Sequence, residues 1–196
     1  MMSAHPATHP APEAETSSSG LTALQKDSLT RGRAAALKAM FFDVDGVMTD
    51  GGLFYDGNGE ALKRFHVLDG HGIKMLQDAG VLVGILSGRN HPAVLARAKE
   101  LGLTEVHLGL QDKLSQLREI CARRSLDLQA CGHMGDDLPD LPVMQAVGFS
   151  ATVASAVPEV CQQAMWTAQW PAGAGAVREV CDFILRCKLL APTGTH

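Results

Sequence analysis

From Ala39 onward the chain alternates short apolar runs with stretches that have helical spacing. Ala39–Val44 (AMFFDV), Val81–Leu86 (VLVGIL), Glu105–Leu108, Ala130–Met134 and Phe149–Val153 read as strands. The second of these is apolar throughout, as expected of a strand covered on both faces. Leu53–Tyr55 and Ala61–His66 flank the turn sequence DGNGE and predict a hairpin. Asp69 is placed at the N-cap of a helix through HGIKMLQDAG, with Ile73, Leu76 and Gln77 on helical spacing and Gly80 as its stop. Further helices are predicted over Pro92–Leu101, Lys113–Arg124, Leu138–Val147 (interrupted by Pro139 and Pro142) and Ala176–Leu190. Such alternation predicts an α/β fold, a Rossmann-like doubly wound parallel sheet with helices on both faces. The roughly 40 residues between Gly46 and Ser87 are used up by the hairpin, one helix and one strand. No cap domain fits there, so the hairpin is the only flap.

Composition divides the chain. Residues 1–20 carry Pro6, Pro10, Pro12 and Ser17–Ser19 and, beyond Met1 and Met2, no large apolar side chain. They bury too little to offset the entropy of ordering, so the extension 1–36 is expected to be disordered or loosely helical. Residues 37–190 form the folded domain and 191–196 a flexible tail. A net charge of −4 lacks the basic footprint of a nucleic-acid binder. The longest apolar run, Ala79 to Leu86, is far short of the ~20 residues of a membrane span. There is no apolar secretory segment, and five cysteines without C-x-x-C spacing read as reduced thiols. Together these predict a cytoplasmic protein with neither nucleic-acid nor membrane partners.

In open parallel sheets the working residues lie in loops at the carboxyl ends of strands. Here those loops hold Asp43 and Asp45, then Ser87 and Arg89, then Asp112 and Lys113, then Asp136, Asp137 and Asp140. This set suits phosphoryl transfer with Mg2+. Asp43 and Asp136 supply the oxygen ligands a hard cation needs, leaving room for water and phosphate. Asp43 can attack phosphorus, and Asp45, two residues on, can serve as general acid and then base. Ser87 and Lys113 can bind the non-bridging oxygens. Lys63 reads either as a solvated hairpin residue or as a substrate contact, and His133 as a hydrogen-bonded core residue. A receiver domain shares aspartates, a hydroxyl and a lysine on such a sheet, but lacks the acid at +2. A catalytically silent assembly module is the other alternative.

The strings FFDVDGVMTDGGLFYDGNGE, LKRFHVLDGHGI, GILSGR, GDDLPDLPVM and GAVREVCDFIL resemble the haloacid-dehalogenase-like phosphatases, and within them the 3-deoxy-D-manno-octulosonate 8-phosphate phosphatase family. The resemblance covers roughly residues 37–190. It implies Asp43 as nucleophile, Asp45 as acid/base, Ser87 and Lys113 as phosphate binders, and a magnesium site of Asp43, Asp136 and the Asp45 carbonyl. It also implies sugar-acid contacts from Arg89, Arg97, Asp69 and Gly70, and a homotetramer whose subunits cover the site. The expected substrate is a sugar-acid phosphate of lipopolysaccharide precursor synthesis. Ala174, Asn90 and Leu68 stand where the family carries cations, which leaves eight- and nine-carbon acids both open.

Overall fold

A computed structural model describes residues 22–191. The expected disorder of residues 1–20, and the tail beyond Ala191, lie outside the described residues. In chain order the elements are α1 (Ala23–Ala35), β1 (Ala39–Phe42), β2 (Phe54–Asp56), β3 (Gly59–Leu62), α2 (Val67–Asp78), β4 (Leu82–Leu86), α3 (Pro92–Leu101) and β5 (Glu105–His107). There follow α4 (Lys113–Arg124), β6 (Cys131–Met134), α5 (Leu141–Ala146), β7 (Phe149–Val153), α6 (Pro158–Gln163), β8 (Trp166–Ala168) and α7 (Ala176–Leu190). Six strands form one sheet in the order β5-β4-β1-β6-β7-β8, and every neighbouring pair is parallel. β2 and β3 form the antiparallel hairpin outside it. This is the predicted α/β architecture.

Strand alternation sorts the core into two layers. Met40 and Phe42 of β1 face the side covered by α1, α2, α3 and α7, with Ile73, Val94, Val180 and Ile184. Ala39 and Phe41 face α4 and α5, with Leu117, Ile120 and Val143. Phe41 and Phe42 are wholly buried. Each such side chain stabilises the fold by about 1.5–3 kcal/mol relative to exposure. With both faces of β1 filled, the residues that follow its carboxyl end are free to build a site.

Four details differ from the sequence reading. α2 begins at Val67 behind an extended His66, so Asp69 lies in the first turn and is not the N-cap. Its carboxylate accepts the backbone N–H of Arg178 at the start of α7, 2.8 Å away. The stretch 138–147 splits into a 3-10 turn (Leu138–Asp140) and α5, because Pro142 has no N–H to continue the ladder. β8 and α6 were not predicted; at three and six residues they are too short to show a period. Finally, α1 is docked on the domain. Its Thr22–Gln25 capping box is complete, Ala34 is buried, and Lys188 of α7 donates to the carbonyls of Ala35 and Leu37 at 3.0 and 2.6 Å. No helix among the described residues is long and apolar enough to cross a membrane.

Candidate active site

The strand order reverses direction beside β1, and the crevice at that point is where ligands bind in open α/β sheets. A pocket of about 180 Å3 opens there, lined by Asp43, Asp45, Ser87, Arg89, Lys113 and Asp136 among others. Asp43 follows β1 directly, and its N–H extends the ladder to Met134 O at 2.9 Å. The next turn has Asp45 at φ −77°, ψ 118° and Gly46 at φ 86°, ψ −2°. Those are the central angles of a type II turn, which requires glycine at its third position. Gly46 has a second duty. A Cβ there would lie 1.9 Å from Asp136 Oδ2, so the missing side chain makes the space for that carboxylate.

Lys113 opens α4 behind the cap Asp112, whose side chain accepts the N–H of Ser115 at 3.0 Å. Far from being solvated, Lys113 is buried and reaches Asp43 Oδ1 at 2.9 Å and Asp140 Oδ1 at 2.7 Å. Burial opposes its charge, but Asp43 and Asp140 outweigh burial and raise its pKa. Asp140 is equally buried. Burial alone would raise its pKa, yet the hydrogen bond and charge of His133, and those of Lys113, hold it at about 2. Ser87 is buried at the end of β4, and its hydroxyl accepts the N–H of Arg89 at 3.3 Å.

Asp43, Asp136 and Asp140 bring carboxylate oxygens within 4.8 Å of one another. Burial and the charge of Asp140 push Asp43 up to about 6, against the pull of Lys113. Burial, then Asp43, Asp140 and Asp137, push Asp136 up to about 7. The three are not equivalent. Asp140 Oδ1 receives Lys113 and His133, and Oδ2 receives the N–H groups of Asp136 and Asp137. Its lone pairs are thereby occupied. Asp136 Oδ1 is buried with no partner. Crowded carboxylates with one orphaned oxygen are a donor set for a divalent cation, and the oxygens free to take it belong to Asp43 and Asp136.

The hairpin closes one side of the mouth. Lys63 Nζ contacts Asp45 Oδ1 and stands 2.8 Å from Glu60 Oε1. Arg89 reaches Glu60 Oε2 at 2.6 Å and Asp45 Oδ2 at 3.6 Å. His91 caps α3 by accepting the N–H of Ala93 on Nδ1 at 3.1 Å, so Nε2 carries the proton and donates to Glu60 O, also at 3.1 Å. Glu60 is therefore the joint between hairpin and sheet, and sequence reasoning missed it. The only local signal was a Glu and a Lys three apart, Glu60 in β3 and Lys63 just after it.

Arg97, Asp69 and Gly70 are not brought to this pocket. Arg97 pairs with Glu100 at 2.8 Å and donates to His66 O at 3.3 Å. Gly70 packs against its guanidinium, where a Cβ would sit 2.1 Å from Nη2. Asp69, its pKa raised by burial, is used in binding α7. Within one chain the three form a separate patch where α2, α3 and α7 meet.

A family described as haloacid dehalogenase-like hydrolase matches residues 106–180. The 3-deoxy-D-manno-octulosonate 8-phosphate phosphatase KdsC of Yersinia pestis is 42% identical over 164 residues, covering 83% of this chain and 88% of that relative. The chain belongs to the haloacid dehalogenase-like 3-deoxy-D-manno-octulosonate 8-phosphate phosphatase family. It is an enzyme, a phosphoric monoester hydrolase. The Moraxella catarrhalis phosphatase, solved with magnesium, phosphate and KDO, superposes with a TM-score of 0.80 at 34% identity over 83% of this chain and 93% of that one. The cobalt-bound Haemophilus influenzae phosphatase gives 0.77 at 40% identity over 80% and 91%. This family of hydrolases works with divalent cations, in keeping with the acidic cluster found here.

Proposed function

We propose that this enzyme hydrolyses 3-deoxy-D-manno-octulosonate 8-phosphate to the free sugar acid and phosphate, in the cytoplasm, as a step of lipopolysaccharide precursor synthesis. The observation that carries the reading is the convergence of Asp43, Asp45, Lys113 and Asp136 in one pocket. In the proposed reaction a carboxylate oxygen of Asp43 attacks phosphorus while the bond to the sugar oxygen breaks. Asp45 gives its proton to that oxygen. Asp45 then takes a proton from water, whose oxygen attacks the phospho-aspartyl group and frees Asp43. Lys113, held between Asp43 and Asp140, and Ser87 bind the non-bridging oxygens as charge spreads over them. Asp43, Asp136 and the Asp45 carbonyl would hold Mg2+, which neutralises phosphate charge.

A pocket of about 180 Å3 lies below the ~300–1,000 Å3 of sites that enclose a small molecule. It takes the phosphate, and the sugar acid must extend past the mouth. Lys63 and Arg89 stand there, where a substrate carboxylate can draw them from Glu60. The exposed Leu53, Phe54, Tyr55 and Leu62 of the hairpin leave that side apolar, whereas Phe65 packs into the core. The proposal therefore includes a homotetramer that covers the hairpin and excludes water from the mouth. Arg97, Asp69 and Gly70 could meet sugar only through such an assembly. The test is phosphate release from eight- and nine-carbon ulosonate phosphates and small esters, with magnesium and with chelator. Magnesium-dependent release favouring the eight-carbon acid is expected. Preference for the nine-carbon acid, or release in excess chelator, overturns the reading.

A further inference from the structure

Two donors converge on one oxygen beneath the pocket. Lys113 Nζ and His133 Nε2 each stand 2.7 Å from Asp140 Oδ1. His133 lies in β6, opposite Phe41 of β1 and Ser150 of β7, and is wholly buried. By alternation it shares a face with Cys131, which packs among Leu117, Ile120 and Val143. A side chain serving only to fill that layer would be apolar. Instead the ring leaves Nδ1 without a partner among the described residues, an unfavourable arrangement in a protein interior. Because Asp140 Oδ1 is an acceptor, Nε2 must carry the ring proton.

The reason for accepting that arrangement lies one residue away. An ammonium on a four-carbon stem is mobile, and Lys113 points at Asp43 only while its other anchor stays fixed. Backbone N–H groups hold Asp140 Oδ2 at 3.2 and 3.4 Å, which leaves the carboxylate free to pivot about that oxygen. The imidazole N–H stops the pivot. We infer that His133 is a positioning residue for phosphoryl transfer: through Asp140 Oδ1 it fixes the Lys113 ammonium between Asp43 and the phosphate oxygens. The inference rests on the phosphatase reading above. It goes beyond it in making a residue with no access to substrate set the rate.

The test compares His133→Leu, which removes the donor, with His133→Gln, which can present an amide N–H near the place of Nε2. Both are assayed in the full chain at saturating magnesium, well below their unfolding midpoints. Loss of an orienting partner costs about tenfold or more in activity. The Leu variant is therefore expected at least about fivefold below the Gln variant in kcat, without its thermal midpoint being lower. In a Lys113→Ala background the loss on His133→Leu should shrink, because its effect runs through Lys113. A packing role predicts the reverse: activity that follows the midpoints and losses that multiply. A gap under about fivefold, or an undiminished loss in the Lys113→Ala background, overturns the inference. If the Leu variant does not fold, His133→Phe takes its place under the same criteria. A wild-type enzyme that releases no phosphate from any ester sinks the phosphatase reading itself. An active wild type with equivalent Leu and Gln variants sinks only the role of His133.

Discussion

The floor and the mouth of the pocket are built on different principles. On the floor, Asp43, Lys113, Asp140 and His133 are all buried, and each contact is made by residues rooted in β1, α4 and β6 or the turn after it. At the mouth, Lys63 and Arg89 each pair with Glu60 and Asp45, beside a hairpin whose apolar side chains stay exposed. The floor holds the charges of Lys113 and Asp140 against desolvation by paired donors and acceptors within one chain. The mouth satisfies its charges provisionally, in pairs that a ligand carboxylate can exchange. On the proposed reading, chemistry belongs to the first region and selectivity to the second.

The largest expected effect breaks the floor. Asp43→Asn removes the proposed nucleophile and should lower kcat by more than about 10^3-fold while the circular dichroism stays native. Near-normal turnover would falsify its assignment. Asp45→Asn should cost at least ~10^2-fold, the usual worth of acid–base help, and a loss of only a few-fold points to another acid. At the mouth, Lys63→Ala should lower kcat/KM for the sugar-acid phosphate by about tenfold and leave a small phosphate ester within about threefold. Equal losses on both substrates would place Lys63 in the chemistry and erase the distinction between the regions. Phe54→Asp should dissociate the assembly in light scattering and weaken the sugar acid more than the small ester. A selective, fully active monomer counts against the proposed cover.

The smallest effect is on stability. Without a cation, the folded value of Asp136 near 7 exceeds its ordinary 3.8. As pH rises between those values the folded state retains a proton that the unfolded chain sheds, so stability is lost. Metal-free Asp136→Asn should therefore melt higher than metal-free wild type at pH 8, by on the order of 3 °C, with the gap closing toward pH 5. Magnesium should raise the midpoint of the wild type and not that of the variant. A gap independent of pH shows that neither burial nor its acidic neighbours raise Asp136.

Legibility in the sequence followed the same division. Strands flanking the floor are buried on both faces, so their ends could be read to within a residue or two, and the acids beyond them line the pocket. His133 was readable as a bonded core residue, but its partner four residues past Asp136 had no spacing rule to mark it. The mouth was harder because it is assembled from side chains that meet only after folding. Nothing local ties Glu60 to Arg89 or His91, some 30 positions away. Asp69, Gly70 and Arg97 carry a motif whose proposed sugar contacts would need a second subunit. Their motif matches, yet within this chain their contacts are helix packing.

The strand order also bears on how the enzyme reaches its working state. β1 is paired on one side with β4 and on the other with β6, joining Ala39 to Leu82 and to Cys131. Closing loops that long is slow, because chain entropy must be surrendered before the pairing repays it. Asp43 and Asp136 meet only when the second closure is complete. A chain in which β6 has not yet docked therefore has only half of the proposed site, and recovery of turnover during refolding should report that docking.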